Sequence, residues 1–377
     1  MKLKCMAWAV LAGMAFGDWE AGAELVRPAW LTDCTVGVKE SYDGNVFQSG
    51  VNTGNLPAAY PVPFGSVAAL KNEYSWITTV SPKIGVNFSP LLDSPTNVPL
   101  LSLAYAPDFT VYHNQTSESY DAHRALAAVK INTDTMALTG DNTFTFIDGS
   151  ELGPVFPGNL YSGFATIGAR SRRRQILETA NLNLQFDFGS WFFRPAAALI
   201  YNDMMTSQLN TALAQNTGYQ NYCDRYDVNG GADIGYQLTP ECALTLGYRY
   251  GHQYQQQYSF SPYSASSDYQ RVLAGVEGHP WKWLTLKAVS GPDFRSYQEN
   301  SPGHITPVSD LNPVKYYGEA QATVVFNAAN SLTFRYKLWQ WVSGTGKVPY
   351  SDGGYELAYH CALTKKLGWD LGGKFSS

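Results

Sequence analysis

Four arginines lie close together in the chain, at Arg170, Arg172, Arg173 and Arg174. Guanidinium groups bind phosphate and carboxylate oxygens through parallel hydrogen bonds. The cluster therefore predicts a basic patch at the rim of the molecule, facing anions or lipopolysaccharide. The alternative is an ordinary solvated strand end, and the sequence leaves both open.

Other residues that could do chemistry are scattered. The histidines show no H-x-x-x-H or H-E-x-x-H spacing, and they are His113, His123, His252, His279, His304 and His360. No G-x-S-x-G motif and no C-x-x-C pair is present, so the sequence does not indicate an acyl-transfer serine or a zinc site. We therefore expect no catalytic residue, metal or cofactor.

Two weaker candidates for metal binding have simpler interpretations. His113 and His123 could meet across a hairpin, but polar rim residues are the favoured interpretation. Asp43 with Asn45, and Asp141 with Asn142, could bind calcium, but Asp and Asn more often hydrogen-bond their own backbone in turns. The four cysteines beyond Cys5, which are Cys34, Cys223, Cys242 and Cys361, are expected to be single buried or lipid-facing thiols.

Composition narrows the class of protein that could carry these residues. The 377 residues are 45% apolar, 14% aromatic and only 15% charged. So many aromatic residues exclude a disordered chain, and beyond the N-terminus no run of about 18 apolar residues predicts a membrane helix. The formal charge of −5 argues against a nucleic-acid binder.

The N-terminus is typical of a secretory signal peptide. Lys2 and Lys4 precede a short apolar block, residues 5–16, and Ala21-Gly22-Ala23 provides an A-x-A cleavage site. We expect a signal peptide over residues 1–23 and one domain over 24–377. A membrane anchor is the alternative, but the block is too short to span a bilayer.

The rest of the chain alternates with a period of two residues, which predicts β-strands. From Cys242 to His252, Leu244, Leu246 and Tyr248 share one face, whereas Thr245 and Arg249 share the other. Fifteen segments follow this rule, approximately at 35–42, 74–88, 100–113, 121–131, 136–147, 172–188, 191–204, 225–238, 242–254, 269–279, 283–293, 316–327, 331–341, 355–362 and 367–375.

Connection lengths and strand lengths favour a membrane barrel over a soluble sandwich. Short connections such as 189–190 alternate with long ones such as 205–224. Strands of about 9–13 residues match a tilted membrane crossing, whereas soluble strands usually have about 5–6 residues. The sequence thus predicts an all-β, antiparallel, up-and-down transmembrane β-barrel of about 15–16 strands, with short periplasmic turns and long extracellular loops.

Aromatic residues recur near the predicted strand ends, as in the interfacial girdles of membrane barrels. They are Tyr42, Trp76, Tyr112, Trp191, Tyr201, Tyr226, Tyr250, Tyr254, Tyr269, Trp281, Trp283, Tyr316, Tyr317, Trp339, Trp341, Tyr355 and Trp369. Ordinary packing explains any one of them, but their recurrence favours a girdle.

Nine charged residues fall on the polar faces of these segments. They are Arg124, Lys130, Arg194, Arg249, Arg271, Glu277, Glu319, Arg335 and Lys337. In a barrel they would line the lumen, where rings of charge set ion selectivity. Because seven are cations, we expect a weak anion preference, which Asp187, Asp227 and Asp233 offset in part. The alternative is structural ion pairing that fills a narrow lumen.

Three segments in order resemble a known family. Residues 42–47 read YDGNVF, residues 77–86 read ITTVSPKIGV and residues 101–109 read LSLAYAPDF. They resemble the beta-barrel porin 2 family of bacterial outer-membrane proteins, whose chains open with a similar Y-D-D-N-V-F/L motif, a V-S-P strand and an L-x-Y-x-P strand. Gly44 stands where a second Asp is commoner, and the resemblance covers roughly residues 36–112. It implies an outer-membrane barrel and gives no substrate.

The predicted strand count has a further implication. Bacterial single-chain barrels have even strand numbers, whereas the pattern predicts fifteen segments. One explanation is a chain that lacks the final strand of a sixteen-stranded parent, which would leave a seam between the first and last strands. A split or missed segment is the alternative.

Together these observations predict a non-enzymatic outer-membrane barrel, exported through its signal peptide, that passes or binds small polar solutes. Its expected partners are outer-membrane lipid, lipopolysaccharide, the barrel-assembly machinery and small polar solutes, without nucleic acid. A secreted all-β glycan-binding protein and, less favoured, a barrel enzyme acting on lipid remain alternatives.

Overall fold

The computed structural model describes residues 28–44, 46, 74–91, 100–149, 174–205, 223–256, 264–298, 311–342, 349–362 and 368–376. The predicted signal peptide lies outside these residues. The described part confirms an all-β fold, with only two short 3-10 helices, Ser89–Leu91 and Thr116–Glu118. None of its helices is long and apolar enough to cross a membrane.

Sixteen strands form one antiparallel sheet whose order follows the chain. They are β1 Leu31–Asp43, β2 Ser75–Asn87, β3 Leu100–Tyr105, β4 Asp108–Tyr112, β5 Tyr120–Asn132, β6 Met136–Asp148, β7 Gln175–Phe188, β8 Trp191–Asp203, β9 Arg225–Thr239, β10 Cys242–Gln255, β11 Ser267–Trp281, β12 Leu284–Tyr297, β13 Val314–Asn327, β14 Asn330–Val342, β15 Pro349–Ala362 and β16 Gly368–Ser376.

The sixteen strands occupy fifteen positions in the sheet. Both β3 and β4 pair with β2 and with β5, so they are two halves of one predicted segment. Pro107 lies between the halves and has no N–H to donate to the ladder. Among the described residues, β1 and β16 do not pair with each other.

Several strands are longer than the pattern predicts, and β12 and β15 are two examples. β12 continues to Tyr297 and β15 begins at Pro349. The pattern predicts connections for residues 294–297 and 349–354. Gly353 and Gly354 are typical of a loop, yet they pair with Leu338 and Lys337 of β14. Pairing with a regular neighbouring strand therefore overrides the weak local preference for strand.

Tight turns at 189–190, 240–241, 282–283 and 328–329 gather at one end of the sheet, here called the short-turn end. The opposite, long-connection end has its connections mostly outside the described residues. Gly189 takes a φ of 68° in the β7–β8 turn, a left-handed conformation that glycine adopts without steric cost.

Side chains alternate between two faces as predicted. In β10, Leu244, Leu246 and Tyr250 are 47%, 61% and 52% exposed on the outward face. Ala243 and Gln253 are buried on the inward face. Leu182 and Ile234 lie outward like Leu246, while Asn183, Asp233, Thr245 and Arg249 line an interior cavity.

Hydrogen bonds between distant strands show that the sheet curls around its inward face. Arg194 of β8 contacts Glu277 of β11. Gln253 of β10 donates from Nε2 to the carbonyl of Gln340 in β14 at 3.1 Å. Arg225 of β9 donates to the carbonyl of Val342 at 2.6 Å. Since these pairs skip two to four strands, the inward face is concave.

Only some of the aromatic residues assigned to a girdle lie on the outward face. Trp76, Trp191, Trp281 and Trp283 are exposed near strand ends, and the last two stack at 5.3 Å. The prediction is wrong for five residues that alternation turns inward. Tyr112, Tyr269 and Trp341 are buried, and Tyr317 and Trp339 line the interior cavity.

Candidate solute-binding interior

Inward side chains of β6 to β14 line a cavity of about 640 Å³. Cavities of roughly 300–1,000 Å³ accommodate small-molecule ligands. Polar neutral groups on the wall include Thr179, Asn181, Asn183, Asn229, Thr245 and Gln321. The interior therefore offers donors and acceptors to a hydrophilic solute.

Six polar side chains lie at the long-connection end of this interior and form what we call the buried polar cluster. Its members are at most 5% exposed and are Asp227, Gln253, Tyr269, Arg271, Asp293 and Arg295. They come from four neighbouring strands, β9 to β12. Alternation places all of them on the same face, and the curl of the sheet removes them from water.

Asp293 is the centre of charge compensation in the cluster and is 0% exposed. Arg271 donates from Nε to its Oδ2 at 2.9 Å. Arg295 donates from Nε to Oδ1 and from Nη2 to Oδ2, each at 3.1 Å. One carboxylate thus compensates two guanidinium groups in a region of low dielectric constant.

Arg295 and Gln253 connect the cluster across the interior to β14. Arg295 donates from Nη1 to Gln253 Oε1 at 3.0 Å and to Ser267 Oγ at 3.2 Å. Gln253 donates to Asp227 as well as to the Gln340 carbonyl, each at 3.1 Å. These bonds join β9, β10, β12 and β14 into one network at this end.

Tyr269 holds the two arginines in place. Its hydroxyl donates to Asp227 Oδ1 at 2.7 Å. The guanidinium carbons of Arg271 and Arg295 lie 4.1 and 4.7 Å from its ring centroid, within the range of cation–π attraction. Gly251 of β10 faces the Tyr269 ring. A Cβ added at Gly251 would lie 2.3 Å from the ring carbon Cζ. Only glycine leaves room for this ring.

Six of the nine predicted wall residues line the cavity, and they are Arg194, Arg249, Arg271, Glu277, Glu319 and Lys337. Three of the cations pair with carboxylates. Arg194 forms a two-bond pair with Glu277, Arg249 pairs with Asp233 at 2.7 Å, and Arg271 pairs with Asp293. This arrangement corresponds to the structural ion pairing that the sequence left as an alternative.

The other three wall residues do not line this cavity. Arg124 pairs with Asp108 at 2.6 Å, and Arg335 pairs with Glu356 at 2.7 Å. Lys130 is exposed and has no ion pair within the described residues. Since most predicted cations are compensated by a nearby carboxylate, the anion preference of the interior as a whole is expected to be small.

The candidate metal ligands of the sequence do not come together in the structure. Asp141 accepts a bond from Asn181 on the inward face, whereas Asn142 donates to Glu178 on the outward face, so the two cannot share a cation. His113 bonds Thr78, and His123 bonds Tyr105. No group of three His, Cys, Asp or Glu side chains in the described chain could hold a metal ion.

The arginine cluster is largely outside the described residues, since only Arg174 falls within them. Its Nε lies 3.9 Å from Asp148 Oδ1. Arg170, Arg172 and Arg173 fall in the connection between β6 and β7. None of the cysteines Cys34, Cys223, Cys242 and Cys361 forms a disulfide within the described residues; Cys223 is buried and Cys34 exposed.

Sequence reasoning missed Gln253, Asp293 and Arg295 as site residues. Asp293 ended a predicted strand and Arg295 fell in the following connection, because Gly291-Pro292 interrupts the apolar alternation. A signal was nevertheless present. Asp293 and Arg295 share the inward parity of Lys287 and Val289. Asp293 already ends the predicted segment 283–293, and extending the two-residue period by two positions reaches Arg295.

Comparison with known proteins adds no relative. Neither the models of known protein families nor the curated proteins contain a match to this chain. The resemblance to the beta-barrel porin 2 family therefore depends on the residues quoted above alone.

Proposed function

We propose that the chain forms a bacterial outer-membrane β-barrel whose polar interior passes or binds small polar solutes. The observation that carries the proposal is the distribution of side chains between the two faces. Large apolar residues such as Val38, Leu246 and Leu371 are 69%, 61% and 66% exposed on the outward face. The inward face carries the polar cavity and most of the ion pairs among the described residues, such as Arg194–Glu277 and Arg249–Asp233.

This arrangement suits lipid outside and water inside. Soluble monomers rarely expose a continuous apolar patch larger than a few hundred Å². Here exposed apolar residues occur on the outward faces of strands throughout the sheet, from Val36 in β1 to Phe375 in β16. A secreted glycan-binding sandwich would need the opposite arrangement, with polar residues outward and apolar residues inward.

Strand geometry supports the same proposal. Most strands are 13–15 residues long, which suffices for a tilted membrane crossing of about 9–11 residues. A spanning sheet cannot leave edge N–H and C=O groups in lipid. The proposed barrel therefore requires the free edges of β1 and β16 to find hydrogen-bond partners in the membrane.

The partners follow from this placement. Outer-membrane lipid would cover the outward face, and the barrel-assembly machinery would insert the chain after export. Lipopolysaccharide would meet the rim near Arg174, where an anionic headgroup could contact guanidinium groups.

Refolding into detergent followed by planar-bilayer recording tests the proposal. We expect lower apparent mass on unheated gels than on heated gels, and discrete conductance steps after insertion. A protein that stays in solution without detergent and shows the same mobility before and after heating would contradict it and favour the secreted glycan-binding alternative.

A further inference from the structure

Two arginines face each other in the wall of the cavity. Arg249 of β10 and Arg271 of β11 are direct partners in the antiparallel register, and both line the cavity. Like charges in this position repel each other, so such a pair destabilises a sheet unless something compensates it. The surrounding groups show how much compensation the protein itself supplies.

Each arginine has one carboxylate, placed on the side away from the other arginine. Asp233 on β9 accepts from Arg249, and Asp293 on β12 accepts from Arg271. Asp293 is also shared with Arg295, so its charge is divided between two guanidinium groups. Protein groups therefore compensate the outer sides of the pair more fully than the space between them.

Arg271 keeps one donor without a partner. Its Nη2 is buried and has no hydrogen-bond acceptor among the described residues. The side chain is 7% exposed, and its guanidinium carbon lies 4.1 Å from the Tyr269 ring and 4.5 Å from the Tyr317 ring. A buried donor left unpaired is costly, and a bound ion or water is an ordinary explanation for one.

Further positive charge lines the same cavity. Lys287 and Lys337 both belong to its wall, and neither forms an ion pair in the described part of the chain. The Lys337 ammonium lies 4.9 Å from the Trp339 ring. The wall as a whole is balanced, with five Arg or Lys and five Asp or Glu side chains. Its two cations without an ion pair among the described residues lie on β12 and β14.

We propose that the Arg249–Arg271 pair binds a small oxyanion, a carboxylate or phosphate group of the solute, inside this cavity. The inference rests on the proposed solute-binding function and names its substrate class. The rings of Tyr269 and Tyr317 both contact the Arg271 guanidinium, so little side-chain freedom is lost on binding. Lys287 and Lys337 lie in the wall of the same cavity.

Calorimetric titration of the refolded full chain in detergent, at low ionic strength, tests the site with two probes, inorganic phosphate and succinate. We expect saturable binding of at least one probe, and the preferred probe identifies the anion class. Arg271→Gln and Arg249→Gln should each weaken binding about tenfold or more, because a charge-assisted hydrogen bond is lost. Arg249 is 15% exposed and provides the variant less prone to misfolding.

Arg124→Gln is the matched control, since Arg124 also pairs with an inward carboxylate but lies outside the cavity. It should bind the anion as tightly as the unmodified chain. No saturable binding of either probe by folded protein, or equal binding by all three variants, would overturn the inference. Conductance without anion binding would overturn it while leaving the proposed barrel intact, whereas solubility without detergent would count against the barrel itself.

Discussion

At the long-connection end, two parts of the inward face bury different kinds of side chain, apolar in one part and polar or charged in the other. Between β1 and β5, Val46, Ile77 and Tyr112 form an apolar cluster, with Tyr120 packed against it. Between β9 and β12, the buried polar cluster fills the interior with charges and hydrogen bonds. Both clusters are at most 8% exposed, so burial alone does not distinguish them.

The difference shows that inward parity determines on which face a side chain lies, but not whether that side chain is apolar, polar or charged. An apolar cluster tolerates small changes in shape because its contacts are non-directional. A buried ionic network depends on every member, since each unpaired group incurs the full cost of leaving water. We therefore expect the two regions to respond very differently to substitution.

The largest effect is expected for Asp293→Ala. This substitution removes the only carboxylate bonded to both Arg271 and Arg295 in the described chain and leaves two buried cations without it. Breaking a buried ion pair typically costs about 3–5 kcal/mol. The free energy of unfolding in urea, measured on protein refolded into lipid vesicles, provides the value.

Glu356→Ala is the control for Asp293→Ala. Its partner Arg335 is 51% exposed and Glu356 is 39% exposed, so removing this pair should cost about 0–1 kcal/mol. Equal destabilisation by the two substitutions would show that the polar cluster behaves as a solvated surface, and the contrast between the two regions would be lost.

Leu246→Arg tests the outward face that both regions share. If Leu246 lies near the bilayer midplane, an arginine there should cost about 2–4 kcal/mol. Thr245→Lys places a charge one residue away but on the wall of the polar cavity, and it should cost less than about 1 kcal/mol. Equal costs in vesicle refolding would contradict the assignment of the faces.

Ile77→Val tests the apolar cluster directly. Loss of one buried methylene should cost about 0.5–1.5 kcal/mol. Gln253→Met, a change of similar volume in the polar cluster, removes the donor to Asp227 Oδ2 and the acceptor for Arg295 Nη1. It should cost about 1–3 kcal/mol, because buried polar groups lose hydrogen-bond partners. Urea unfolding of both variants compares the regions, and a larger cost for Ile77→Val would reverse the proposed order.

Alternation along the chain predicts which face a residue occupies, because neighbouring side chains in a strand point to opposite sides. It correctly places Leu246 outward and Thr245 and Arg249 inward. It also predicts the order of the strands, because short connections between antiparallel strands make sequence neighbours pair.

Contacts across the interior are beyond such a pattern. Arg194 and Glu277 are separated by 83 residues, and their contact depends on how tightly four strands curl. Strand ends with Gly or Pro are also hard to predict, which is why Arg295 was placed in a connection. The misassignment of Tyr269 and Trp341 has another cause. Their types suit a girdle, but the same alternation that places Arg271 and Lys337 inward also turns them inward.

The smallest predicted effect concerns Asp224, the residue immediately before β9. Its carboxylate accepts the Met204 N–H at 2.9 Å. Burial raises the pKa of Asp224 above its ordinary value of 3.8; the Met204 bond opposes this increase, and the nearby Asp203 carboxylate adds to it. The folded chain therefore holds this proton more tightly than the unfolded chain.

Stability should consequently fall as pH rises from the ordinary Asp pKa of 3.8 to the higher pKa of Asp224 in the folded protein, and remain lower above it. Asp224→Asn keeps an oxygen that can accept the Met204 N–H but removes the charge. The variant should match the unmodified chain at the acid end of this window and exceed its stability at neutral pH. Urea midpoints measured between about pH 4 and pH 7 test this expectation, with Asp134→Asn in the β5–β6 turn as the control. If the urea midpoints of Asp224→Asn and of the unmodified chain differ by the same amount at every pH, Asp224 does not carry the shifted proton, and this prediction is wrong.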